Sequence, residues 1–75
     1  MEPSSHSLLL MKHGAERIFG VRLMKAVRFP GADLTMLPGS HLIAGRIPGR
    51  GVCVIVGSWP EVLMDTEYEE VVSWK

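Results

Sequence analysis

A mainly β fold, a small antiparallel sheet or barrel of about five to seven short strands, is predicted by three features of the sequence. Pro-Gly pairs recur at Pro30-Gly31, Pro38-Gly39 and Pro48-Gly49, spaced 8 and 10 residues apart, which leaves room only for short strands. Each pair places proline at i+1 and glycine at i+2, the pattern of a type II turn. Val52-Cys53-Val54-Ile55-Val56 is apolar at every position, as expected of a strand buried on both faces. Phe19, Val21, Leu23, Val27 and Phe29 recur at period two, interrupted only by Lys25, with Arg22, Met24 and Arg28 on the opposite face.

Taken in order, residues 1–6 read as a tail and 7–75 as a single small domain. Leu8-Leu9-Leu10-Met11 reads as a short strand ended by the turn-like His13-Gly14. Arg17–Phe29 reads as a strand or bent strand pair with Gly20 marking a bulge; a helix is the rival, disfavoured by Gly20 and the β-branched and aromatic content. Strands follow at Leu34–Leu37 and His41–Ile47, then the apolar central strand. Gly57-Ser58-Trp59-Pro60 forms a turn and Glu61–Met64 the next strand. At the C-terminus, Thr66-Glu67-Tyr68-Glu69 fits a capping box, and Tyr68, Val71 and Val72 fall at helical spacing. That predicts a short helix from about Glu67 to Trp74, which would give an α+β variant of the fold; a last strand is the rival.

With 75 residues, an apolar fraction of 47% and equal numbers of acidic and basic residues, the chain is not of the disordered class. No apolar run approaches the roughly 20 residues of a membrane span. The lone Cys53 excludes an internal disulfide and a multi-cysteine metal site. Met1–His6 lacks a basic n-region, so the expected location is cytoplasmic, with no membrane partner. A domain this short buries only about 60% of its unfolded surface. Without a disulfide or zinc, self-association is the remaining common staple, so a homo-oligomer is expected.

Charge is segregated along the chain. Residues 12–50 carry seven Lys and Arg against Glu16 and Asp33, a net of +5, while 51–75 carry Lys75 against five acids, a net of −4. Such halves can pair within a subunit, pair head-to-tail between subunits, or leave a basic face for an anionic partner. Arg22, Arg28, Arg46 and Arg50 are the candidate nucleic-acid-binding residues. Arg50 stands in Pro48-Gly49-Arg50-Gly51, where glycines let backbone amides approach an anion and guanidinium offers paired donors. Pairing of these arginines with the acidic C-terminal region is the competing reading.

Catalytic and metal motifs are absent from the sequence: no phosphate-binding glycine loop and no His-Glu-x-x-His. His6, His13 and His41 are not spaced as ligands, and no cofactor or metal is expected. Ser40, His41, Asp33 and Cys53 supply nucleophile, base and acid types, but their spacing supports no triad. Cys53 reads as a small buried hydrophobe. The acids Asp65, Glu67, Glu69 and Glu70 read as a helix start with a solvated face. Trp59 and Trp74 suit either stacking platforms or interface anchors.

Two resemblances bear on function. Leu42-Ile43, Gly49-Arg50, Val54-Ile55-Val56, Val62-Leu63-Met64 and Glu70-Val71-Val72, with Arg22-Leu23-Met24 and Ala26-Val27 upstream, resemble the RemA-type extracellular-matrix regulators, small ring-forming DNA-binding proteins. That likeness implies that Arg22 and Arg50 match DNA-contacting arginines; the family's central helix and second loop arginine have no counterpart here. Leu63-Met64-Asp65-Thr66-Glu67-Tyr68-Glu69-Glu70 and Phe19-Gly20-Val21 are similar to segments of the tryptophan-dependent RNA-binding attenuator protein, an all-β ring. Its RNA-contacting Lys-Val-Arg is replaced by Ile55-Val56-Gly57, so the likeness implies only the ring of small β subunits.

The function expected is a non-enzymatic, ring-like homo-oligomeric regulatory module contacting DNA or RNA through its arginines. Two alternatives stand beside it. One is a structural or protein-interaction module without nucleic acid; the other is a small-molecule-binding or enzymatic oligomer with a site between subunits.

Overall fold

The computed structural model describes residues 5–71, and it is built around a five-stranded antiparallel sheet with strand order β6-β5-β4-β1-β7. The chain runs through α1 (Ser5–Lys12), β1 (Arg17–Leu23), β2 (Val27–Phe29), a 3-10 turn at Pro30–Ala32 and β3 (Leu34–Met36). It continues with β4 (His41–Ile47), β5 (Gly51–Val56), β6 (Trp59–Val62), a 3-10 turn at Asp65–Glu67 and β7 (Tyr68–Val71). Strands β2 and β3 form a separate two-stranded ribbon. The mainly β class is the one the sequence predicts.

The period-two pattern locates the larger core. Phe19, Val21 and Leu23 of β1 and Val27 and Phe29 of β2 are all buried, and they meet Ala44, Val52, Val54, Val56 and Leu63 in one cluster. The ribbon thus folds back across one face of the sheet. Lys25 interrupts the pattern at the bend between β1 and β2. Gly20 is not a bulge: it keeps regular register with Ile43 on one side and Val71 on the other. In β5 alternate residues serve opposite faces, Val52, Val54 and Val56 toward the ribbon and Cys53 and Ile55 toward the helix. That two-sided burial is why the run carries no polar residue.

The second face is closed by α1, where the sequence predicts a strand. Leu10 is fully buried there among Ile47, Cys53 and Ile55, with Leu9, Ala15, Ile18 and Ile43 around them. Leu, Met and Lys favour helix, and the segment holds no β-branched residue. Its end is a Schellman motif: Ala15 N–H donates to the Leu10 carbonyl at 3.0 Å and Gly14 N–H to the Met11 carbonyl at 3.0 Å. Gly14 supplies the left-handed residue, with φ +95°. His13-Gly14 is therefore a helix stop rather than a strand turn. Ser5 and His6, placed by the sequence in the tail, open this helix; the rest of that tail lies outside the described residues.

The turns divide. At Pro38-Gly39 and Pro48-Gly49 the Ser40 and Arg50 amides donate back to the Leu37 and Ile47 carbonyls, at 3.2 and 3.0 Å. Gly39 and Gly49 have φ of +88° and +83°, as type II geometry requires. Pro30-Gly31 instead opens a 3-10 turn, closed by the Asp33 N–H donating to the Pro30 carbonyl at 3.1 Å, and Asp33 takes the left-handed conformation. β6 begins two residues earlier than Glu61 and includes Pro60. At a sheet edge that proline forfeits no interior ladder bond.

The C-terminal helix is a further correction. Described residues there form β7, which pairs with β1 from Gly20↔Val71 to Leu23↔Tyr68. Glu67, not Glu69, does the capping: its carboxylate accepts from the Met64 N–H at 2.8 Å while its own N–H donates to the Met64 carbonyl at 2.9 Å. The open edge of β1 offers a ladder of backbone bonds that an isolated helical turn cannot match. Residues 72–75, including the end of the predicted helix and Trp74, lie outside the described residues.

Candidate functional site

Of the four arginines singled out by sequence, two stand on the β4–β5 hairpin and the other two lie elsewhere in the fold. Arg46 ends near the tip of β4 and Arg50 sits in the turn leading into β5, both exposed, at one end of the sheet. Arg22 lies on β1 opposite His41, at the other end of β4. Arg28 is on the ribbon, so Arg22 and Arg28 do not share a strand as their spacing predicts.

The acids sort these cations further. Arg22 is ion-paired to Glu69, its cross-strand partner on β7, and Arg28 to Asp33 at 2.8 Å. Arg17, at the start of β1, is paired to Glu70. Two of the three pairs join the basic half of the sequence to the acidic half within one subunit. Exposed pairs of this kind contribute about 0–1 kcal/mol each, so their importance lies in occupying the guanidinium. Arg46 and Arg50 form no ion pair among the described residues.

Arg17 belongs with this end of the molecule, and the sequence reading did not single it out. It is the direct cross-strand partner of Arg46 in the β1–β4 register. Its guanidinium lies 4.6 Å from the centre of the Phe19 ring, a cation–π contact. Period two carried the signal, since Arg17 continues the Phe19, Val21, Leu23 series by one step. Only the β1–β4 pairing reveals that it faces Arg46.

Burial holds two nearby groups, the Tyr68 hydroxyl and the Cys53 thiol, in their neutral forms at ordinary pH. Burial pushes the Tyr68 hydroxyl up, with Asp65 and Glu70 adding to it and Arg46 opposing. Burial also pushes the Cys53 thiol up, against the lowering influence of Arg50. A raised thiol is protonated and unreactive, which fits the reading of Cys53 as a core residue. No catalytic set is assembled from the types noted in the sequence. Asp33 is held by Arg28, the Ser40 hydroxyl donates to the Leu37 carbonyl at 2.7 Å, and Cys53 is enclosed beneath α1. No group of three His, Cys, Asp or Glu among the described residues could hold a metal ion.

A second surface feature is apolar. Trp59, Val62 and Met64, on and just beyond the β6 edge strand, are 66%, 47% and 66% exposed. The Trp59 ring meets His13 edge-on, with centroids 5.8 Å apart. Leu8 and Met11 are exposed on α1. No helix among the described residues is long and apolar enough to cross a membrane.

No protein-family model matches this chain, and neither a curated protein nor a solved structure matches it.

Proposed function

We propose that this chain is a non-enzymatic, self-associating module that binds nucleic-acid phosphates on the β4–β5 hairpin, with Arg46 and Arg50 as the contacting residues. The observation that carries this reading is the sorting of the arginines. Arg17, Arg22 and Arg28 are each engaged by a carboxylate, whereas Arg46 and Arg50 are exposed at one end of the sheet without one among the described residues. A guanidinium without a carboxylate partner is available for the paired hydrogen bonds a phosphate accepts. Arg22 and Arg28 move to the background of the reading, as structural pairs. The exposed Trp59, Val62 and Met64 support assembly with further copies, since a domain this small gains stability by covering apolar surface.

The test is binding of labelled single-stranded DNA, duplex DNA and RNA over a range of salt, with the oligomer mass measured in parallel. Two phosphate contacts per protomer contribute about −1.8 to the slope of log affinity against log salt on a duplex for each protomer engaged. R46E/R50E is expected to abolish binding while leaving the oligomer mass unchanged. Binding that survives R46E/R50E removes the hairpin assignment. A mass near 8.3 kDa at both low and high salt removes self-association.

A second reading, an assembly module with no nucleic-acid role, is favoured by the apolar exposure alone. It is separated by the same experiment: a salt-stable multimer that binds none of the three nucleic acids supports it.

A further inference from the structure

We infer that Glu70 acts as a built-in phosphate mimic that withholds Arg17, a third cation of the hairpin site, from Arg46 and Arg50. The inference rests on the proposed nucleic-acid reading and names the regulation of that same site. Three observations converge on it. Arg17 and Arg46 are directly opposite in the antiparallel register, where Cβ atoms stand about 4.5–5.5 Å apart. Arg17 and Arg46 carry like charges on neighbouring strands, and the Glu70 carboxylate engages the Arg17 guanidinium from β7. The guanidinium also lies over the Phe19 ring, whose buried position gives it a fixed platform.

The pair is open to competition. Its two side chains are 54% and 41% exposed, so water and salt screen the attraction. A carboxylate and a phosphate each offer a guanidinium two acceptor oxygens for paired hydrogen bonds, so a nucleic-acid phosphate can take the place of Glu70. With Glu70 in place, the site presents Arg46 and Arg50; with Glu70 neutralised, Arg17 remains above Phe19, beside Arg46, and free to accept a third phosphate. The acid on β7 thus sets how many cations the hairpin end can present, and Phe19 keeps the withheld one in position.

The experiment compares wild type, E70Q, R17Q and R17Q/E70Q for binding to the same duplex DNA across salt. E70Q is expected to tighten binding by up to about fivefold at low salt. It should steepen the salt slope by about 0.9, the increment for one added phosphate contact. R17Q should leave the wild-type slope unchanged, and R17Q/E70Q should return the E70Q slope to the wild-type value. Circular dichroism confirms that each variant keeps the β fold, which the exposure of both side chains permits. Should E70Q bind with the wild-type slope while R46E/R50E abolishes binding, the inference fails and the hairpin site stands. If the gain in E70Q survives R17Q, it comes from bulk charge and the inference fails. Absence of binding by wild type and E70Q alike overturns the hairpin reading itself, and this inference with it.

Discussion

The two faces of the five-stranded sheet are closed by different devices. On one side the β2–β3 ribbon folds back, and Val27 and Phe29 join a cluster that runs through β1, β4, β5 and Leu63. On the other a single eight-residue helix lies over β4 and β5 and contributes one fully buried side chain, Leu10. The ribbon face is deep and aromatic; the helix face is shallow and aliphatic. The difference teaches where stability and adaptability reside. Removing a side chain from the first should loosen the whole molecule, and from the second should first release the helix.

Phe29→Ala is therefore expected to be the most damaging single change, by about 3–5 kcal/mol, measured by urea unfolding. Leu10→Ala should cost about 2–4 kcal/mol, with amide exchange accelerated first at the end of α1. If Leu10→Ala proves the costlier of the two, the ranking of the faces is reversed.

The helix face was also the less legible one in the sequence. Phe19, Val21, Leu23, Val27 and Phe29 announce their shared burial by alternation, and Val52–Val56 by its lack of any polar position. Leu8–Met11 offers four apolar residues in a row, which suit helix and strand alike; the clue to the helix was Gly14, in the right place for a C-terminal stop. β7 ranks behind a helix in the sequence, as its rival, for a different reason. Glu67, Tyr68, Val71 and Val72 fit a helix locally, and only the open edge of β1, distant in sequence, makes a strand the better outcome. The site shows the same division. The arginines are visible as charges, but which of them meet carboxylates depends on β7 lying beside β1.

A third variant probes where the helix face is tightest. A Cβ at Gly45 would stand 2.9 Å from the Ala15 Cβ and 3.3 Å from the Arg17 carbonyl oxygen, where the chain passes from α1 into β1. Gly45→Ala should destabilise by about 1–3 kcal/mol, with partial rescue by Ala15→Gly. No rescue would place the strain on Ile18 Cδ1, 3.2 Å away, or on the Arg17 carbonyl rather than on the Ala15 side chain.

The smallest effect is expected at alkaline pH, and both faces contribute. Cys53 on the helix face and Tyr68 on the ribbon face are each held protonated by burial, above their ordinary values of 9.0 and 10.0. Because the folded pKa is the higher one in both cases, the stability is fully present below the unfolded values and is lost as pH rises through the folded ones. Urea midpoints should therefore be level near neutrality and decline above about pH 9. Cys53→Ala should remove the earlier part of the decline and leave the part due to Tyr68. An unchanged profile would mean that the thiol titrates alike in the folded and unfolded chains.

The pairing of β7 with β1 has a consequence for how the molecule comes together. Arg22 and Glu69 are 47 residues apart in the chain and Arg17 and Glu70 are 53 apart, while the β4–β5 and β5–β6 hairpins close over two or three residues. During synthesis the hairpins can form as they emerge, but β1 keeps one unpaired edge until Tyr68–Val71 have left the ribosome. Loop-closure entropy makes that distant pairing the slow step. Through that interval Arg17 and Arg22 stand without their acids, so a nascent chain ending before β7 would expose both a bare strand edge and two unpaired guanidinium groups on β1.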